Sequence, residues 1–252
     1  MQSERYTDYA TFLARHFSTK VQKISVNAGF TCPNRDGRLG RGGCSYCNNA
    51  SFTPGYCAGD EDVRRQLEKG KDFFGKKYPA MKYLAYFQSY TNTYDTPERL
   101  AGLYEEALSV PDVVGLVVGT RPDCMPDVVL DRLAEMARRV FVLVEYGVET
   151  TDNATLRRIN RGHTFECAAQ AVIRTAERGI PVGAHLILGL PGETREAMVE
   201  RAGEMSCLPL NTLKLHQLQV LRGTRMAVEY ERSPEDFVSF TAESYAGTVV
   251  DF

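Results

Sequence analysis

No apolar run in these 252 residues is long enough to span a bilayer. The first 20, MQSERYTDYATFLARHFSTK, carry charges throughout, where a secretory signal needs an apolar stretch and a small-residue cleavage site. The expectation is a cytoplasmic protein with no membrane partner. An excess of charge of one sign is also missing: 30 Lys and Arg against 32 Asp and Glu leave a net charge of -2, which offers no bulk attraction to a phosphate backbone. A nucleic-acid partner would need a local basic patch. The small clusters at Arg35, Arg38 and Arg41, at Lys76 and Lys77, and at Arg157, Arg158 and Arg161 read first as solvated faces. A phosphate-binding loop is excluded, because the glycine-rich stretch LILGLPGE (186–193) has no Gly-Lys-Ser/Thr. An even cysteine count is absent as well. Seven cysteines in a chain expected in a reducing compartment point to metal ligation or catalysis rather than to disulfides. Three of them, Cys124, Cys167 and Cys207, are scattered singly and read as small buried apolar residues.

What is present is a regular alternation. VQKISVN (21–27) is β-branched and alternating, and reads as a strand. A helical pattern at 60–78 follows, then strand 81–90, then helix 96–108 with Thr96 as cap and proline in its first turn. DVVGLVVGT (112–120) is nearly all apolar, as a parallel strand covered on both faces should be. Helix 125–139, strand 140–149, helix 165–179, strand 180–190, helix 194–205 and strand 212–221 complete six repeats. This is an α/β chain with a parallel sheet and crossover helices. Six strands suit an open doubly wound sheet or an incomplete barrel, and periodicity does not choose between them. The terminal AESYAGTVVDF reads as a helix with no cap or polar tail. The organisation expected is an N-terminal helical extension (1–20), a core (21–225) and a C-terminal helical segment (226–252), the last truncated or short by nature. Polar residues gather at the strand ends, among them Gln88 and Ser89, Thr120 and Arg121, Glu145 and Glu149, and Gln217 and Gln219, with His185 somewhat further in. Ligands bind at that edge in parallel α/β folds.

The chemistry is concentrated in FTCPNRDGRLGRGGCSYCNNASFTPGYC (30–57), directly after the first strand. A structural zinc site wants four ligands, commonly as two close pairs. Here only Cys44 and Cys47 form a pair, with Cys32 alone upstream and Cys57 alone downstream. Four sulfurs make a zinc-stabilised binding module from Cys32, Cys44, Cys47 and Cys57. Three leave one iron of a 4Fe–4S cluster without a protein ligand, unlike the saturated cluster of an electron carrier. RDGRLGRGG holds four glycines in nine residues, so its backbone can wrap a bulky inorganic core, although it suits a zinc knuckle too.

Cys32, Cys44 and Cys47, with Tyr46 between the last two, resemble the cluster motif of the radical S-adenosylmethionine (SAM) superfamily. The eleven-residue first gap is similar to that of the YhcC/YtqA-like group, close to the elongator catalytic subunit and the oxygen-independent coproporphyrinogen oxidase. YFQSYTNTY (86–94), GTRPDC (119–124), EYGVET (145–150), RINRGH (158–163), HLILGLPGET (185–194) and KLHQLQVLRGT (214–224) follow in the order that group shows. The resemblance implies a partial (β/α)6 barrel of the TIM type and, as cofactors, a 4Fe–4S cluster on Cys32, Cys44 and Cys47 together with SAM. It also implies an enzyme that cleaves SAM reductively to a 5′-deoxyadenosyl radical. Tyr46 takes the place of an aromatic residue near the adenine. Gln88 and Ser89 stand where a glycine-rich motif meets the cofactor's amino group, with a side chain such as Gln88 replacing the backbone contact. Thr120, Glu149, Arg161 and His185 match positions near the ribose or the methionine carboxylate. The implied partners are a one-electron donor such as flavodoxin or ferredoxin and, as one substrate class, tRNA at its wobble uridine. Cys57 reads as a loop residue.

Overall fold

The four inner apolar runs become strands covered on both faces, while the two edge strands stay partly exposed. In the computed structural model, which describes residues 6–57, 61–76 and 80–252, the strands are β1 (Val21–Val26), β2 (Lys82–Phe87), β3 (Val113–Thr120), β4 (Phe141–Glu149), β5 (Val182–Leu188) and β6 (Thr212–Gln217). All neighbours are parallel and the order in the sheet is the order in the chain. A doubly wound sheet reverses its order at a switch point; this one never does. It curls into a half-barrel with its crossover helices on the outside.

Those helices are α2 (Val63–Gly75), α3 (Pro97–Leu108), α4 (Asp127–Ala137), α6 (Phe165–Glu177) and α7 (Arg195–Ser206). Between β4 and α6 lies a short α5 (Asn153–Arg158), and α8 (Arg225–Arg232) and α9 (Ala242–Asp251) follow β6. Thr96 caps α3 and Pro97 opens it. Residues 1–5 of the N-terminal extension, and 60 and 77–78 of the second helical pattern, lie outside the described residues. None of the described helices is long and apolar enough to cross a membrane.

The period of two along each strand divides the interior into two cores. Outward side chains such as Ile24, Phe87, Leu116, Val144 and Leu186 pack against Leu67, Leu100, Leu130 and Val172 of the surrounding helices. Inward side chains at the bottom of the half-barrel, Leu84, Val117 and Leu143, pack instead against Phe12 and Leu13 of an N-terminal helix, α1 (Tyr9–Ala14). The first helix is therefore a plug, closing the barrel floor with apolar surface and leaving a polar chamber above it.

Three expectations are corrected. The sixth strand stops at Gln217 rather than 221, because its only neighbour, β5, ends at Leu188 and supplies no further partner. The terminal helix is capped: Thr241 and Ser244 form a reciprocal capping box at its start. Among the singly placed cysteines only Cys124 is buried; Cys167 is half-buried and Cys207 is exposed at the C-terminal end of α7, where its Sγ donates to the Gly203 carbonyl.

Candidate functional site

The cysteine segment folds back over the C-terminal mouth of the half-barrel because its own backbone closes tight turns. Cys32 O accepts from the amides of Arg35 and Asp36 at 2.8 and 3.1 Å, and Gly43 N donates to Asn34 O at 2.8 Å. Gly43 has φ +78°, and a Cβ there would lie 2.9 Å from Arg35 Nε, so a larger residue is refused on both counts. The loop is then stapled to the segment after β4: Ser45 N donates to Ile159 O at 2.9 Å, Asn160 Nδ2 to Gly43 O at 2.9 Å, and Asn34 Nδ2 to Asn160 O at 2.5 Å. The amide of Met226 in α8 donates to Ser45 O at 3.0 Å.

This fastening opens Cys32, Cys44 and Cys47 onto one cavity of about 280 Å³, which Tyr46, Gln88, Ser89, Thr120, Glu149, Arg161 and His185 also line. All ten candidate residues thus meet at one place. Cys57 does not. Its thiol donates to the Ser25 carbonyl of β1 at 2.8 Å, and burial pushes its pKa up to about 12, far from the thiolate a metal needs. Among the described residues no group of three or more His, Cys, Asp and Glu side chains is placed to hold a metal ion.

Two of the basic clusters each turn one arginine inward and leave the others exposed. Arg161 is buried at 6 % exposure: its Nη1 lies 3.6 Å from Cys44 Sγ, its Nη2 donates to Gly147 O at 2.5 Å, and it pairs with Glu149 at 3.3 Å. Burial opposes the charge, but Tyr46, Glu149 and Cys44 more than offset it and hold the guanidinium firmly protonated. Arg35 donates from Nη2 to Cys47 O at 2.8 Å and faces Cys32 as well. Burial raises the pKa of Cys47 while Arg35 works to lower it. Arg121, also buried, holds Asp123 by two bonds of 2.9 and 2.8 Å and faces Cys32. Arg38 and Arg41 are exposed, as is Lys76, while Lys77 lies outside the described residues. Spacing could not separate Arg161 from Arg157 and Arg158; only the turn after α5, with Asn160 at φ +53°, aims it inward.

Backbone strain marks the same place. Of the four non-glycine residues with positive φ among those described, Tyr90, Glu149 and Asn160 border the site. Glu149 sits at φ +72° where the β4–β5 register slips by one residue, a bulge that turns its carboxylate toward Arg161. The polar rim has fixed polarity. Thr93 Oγ1 spends its proton on Cys124 O at 2.6 Å, so at its 2.6 Å contact with Thr120 the latter donates, leaving Thr120 only lone pairs for a ligand. Gln88 Oε1 accepts from Ser25 Oγ at 3.2 Å, leaving its amide hydrogens.

Deeper in the cavity, Glu145, His185 and His216 form the floor. His216 escaped notice in the sequence, although its place two residues after Lys214 on the last strand set it on the inner face. Burial works against the charge of Glu145, yet the hydrogen bond from His185 and the charge of Lys23 bring its pKa from 4.5 down to about 2. A carboxylate depressed in the fold stabilises above its unfolded pKa, and that stability is lost as the pH falls through 2. Glu145 accordingly contributes roughly 3 kcal/mol that disappears between pH 4.5 and 2. Urea midpoints measured down this range should fall less steeply for Glu145→Gln than for the wild type.

The chain matches the profile of the radical SAM superfamily over residues 31–204. It is 39 % identical over 250 residues to the uncharacterised protein YtqA of Bacillus subtilis, covering 98 % of this chain and 76 % of that one. Protein YhcC of Escherichia coli is 40 % identical over 220 residues, 87 % of this chain and 70 % of its own length. Among solved structures, an archaeal Elp3 from Methanocaldococcus infernus lacking its N-terminus superposes with a TM-score of 0.70 at 17 % identity. That superposition covers 92 % of this chain but only 53 % of the other, so this chain spans about half the length of the solved protein it resembles.

Proposed function

Since the chain belongs to the radical SAM superfamily, whose members use a 4Fe–4S cluster and SAM, we propose that Cys32, Cys44 and Cys47 hold the cluster and that the cavity beside them binds and cleaves SAM. The observation that carries this reading is that three thiols, and not the fourth at Cys57, open with three arginines onto one chamber at the barrel mouth.

The residues present fit both groups. Thiolates are the ligands an iron–sulfur cluster takes, and their collective negative charge is met here by Arg35, Arg121 and Arg161. Two buried donors, Arg161 Nε and Arg121 Nη1, and the buried hydroxyl of Thr91 have no hydrogen-bond partner among the described residues. Unpaired buried donors are costly, and a ligand bearing acceptors removes the cost. Held by Cys32, Cys44 and Cys47, a reduced cluster would supply one electron for the reductive cleavage of SAM bound in the cavity beside it.

The protein's own residues orient and enclose. Arg161 offers a guanidinium to a carboxylate, Thr120 an acceptor, and Gln88 its amide hydrogens. Tyr46 would bound the adenosyl side, Ser89 would stand with Gln88 at the amino group, His185 would lie near the ribose or the methionine carboxylate, and Glu149 holds Arg161 in place. The plug of Phe12 and Leu13 keeps water from entering below, which protects a reactive intermediate.

For the substrate we favour a tRNA wobble uridine, on the resemblance of the motifs to the elongator-related group, with Arg35 lining the chamber and Arg38 and Arg41 exposed on the same loop. A flavodoxin or ferredoxin would supply the electron. The test is anaerobic reconstitution, expected to give about four irons per chain and 5′-deoxyadenosine when dithionite and SAM are added. A preparation that holds the cluster yet never cleaves SAM overturns the reading. Deuterium transfer from labelled tRNA into 5′-deoxyadenosine tests the substrate, and its absence would redirect the search to smaller molecules.

A further inference from the structure

The floor of the chamber carries a hydrogen-bonded chain of which only His185 has been assigned to SAM, while Glu145 and His216 have no part in that reading. Glu145 on β4, His185 on β5 and His216 on β6 have the same inward parity on successive strands. Glu145 Oε1 is 2.9 Å from Lys23 Nζ, and its Oε2 is 3.1 Å from His185 Nε2. His185 Nδ1 is in turn 3.3 Å from His216 Nε2. Polarity follows from the far end. An ionised carboxylate only accepts, so His185 Nε2 carries a proton. With one proton on each ring, His185 Nδ1 must accept and His216 Nε2 must donate. The lone pair of His216 Nδ1 is left without a hydrogen-bond partner among the described residues, on a side chain that lines the cavity.

We propose that His216, His185 and Glu145 are a proton relay that takes a proton from a weakly acidic N–H or O–H of the substrate. The substrate proton bonds to His216 Nδ1, the Nε2–H bond of His216 breaks, and a new N–H bond forms at His185 Nδ1. The substrate is left as its conjugate base and the positive charge rests on His185 against Glu145. His216 ends neutral with its tautomer reversed. The imide N–H of a uracil is one group of the required acidity. The proposal rests on the reading of this chamber as the reaction site, and it adds a deprotonation to the radical chemistry there.

The surroundings favour this direction. Burial, His185 and Lys214 lower the pKa of His216 to about 4, so charge is not retained on the outer ring. His185, by contrast, touches the buried anion. The other groups facing the chain are Lys23 on β1, Lys214 on β6, and the hydroxyls of Tyr86 on β2 and Tyr9 on α1. Burial and the charge of Glu145 keep both tyrosines protonated. Burial and the charge of Lys23 weaken Lys214 as a cation.

Proton–nitrogen NMR of the imidazoles in the wild-type protein tests the relay without cluster or SAM, so its failure is distinct from a failure to make 5′-deoxyadenosine. At neutral pH His216 should be the Nε2–H tautomer. His185 should likewise carry its proton on Nε2, and a coupling across the hydrogen bond should join His216 Nε2–H to His185 Nδ1. In Glu145→Gln the anion that holds the His185 proton on Nε2 is gone, and both rings should turn into tautomer mixtures. A His216 that is Nδ1–H at neutral pH, or one with no coupling to His185 Nδ1, overturns the relay. The wild-type spectrum decides the matter even if the Gln variant does not fold.

Discussion

Replacing Cys32, Cys44 or Cys47 singly with alanine is expected to strip the reconstituted protein of its iron and abolish 5′-deoxyadenosine formation, whereas Cys57→Ser should keep both. The three thiols share a chamber ringed by arginines, and losing one leaves a cluster with too few protein ligands to be held. Cys57 does not line that chamber, and its thiol is occupied by the Ser25 carbonyl. Serine can make the same hydrogen bond, so little should change in stability either. Iron content by colorimetry and the absorbance of the cluster would decide the matter. Loss of metal from the Cys57→Ser protein would mean a four-thiolate site and would sink the proposed chemistry at its first step.

Arg161→Met should have the next largest effect, on folding and on function together. Removing one member of a buried ion pair leaves the other uncompensated, at a cost of about 3–5 kcal/mol. Here the residue left behind is Glu149, already at positive φ, with the Gly147 carbonyl also losing its donor. The double variant Arg161→Met, Glu149→Gln should regain much of that stability, because no buried charge is stranded. It should not regain SAM binding, because the cation beside Cys44 is gone. Urea unfolding and equilibrium binding of SAM, measured on both variants, separate the two roles. If the double variant recovered binding as well as stability, Arg161 would be only a structural residue. Space around the pair is tight: a Cβ at Gly147 would come within 2.5 Å of Glu149 Oε1 and 2.7 Å of Arg161 Nη2, so this glycine is part of the same device.

Much of this architecture was legible before any coordinates. Runs such as VVGLVVGT can satisfy a backbone ladder and bury both faces only as interior parallel strands, and Thr96 with Pro97 announces a helix start by local chemistry alone. The cysteine spacing was equally local. The second helical layer was less so: α5 is six residues long and α8 eight, too short for periodicity to stand out, yet α8 and the turn after α5 are what fasten the cysteine loop. Arg35 and Arg161 carried no local mark to distinguish them from the solvated arginines beside them.

By itself the amino-acid sequence determined the six strands, the crossover helices between them and their order, because hydrogen bonding, capping and side-chain period act over a few residues. The half-barrel was implied by the family resemblance and not by periodicity; only the tertiary structure decided that Cys57 stands apart from the other three thiols and that Glu145, His185 and His216 touch. Those facts depend on which way strands far apart in the chain face when the sheet curls, and no short-range rule encodes that.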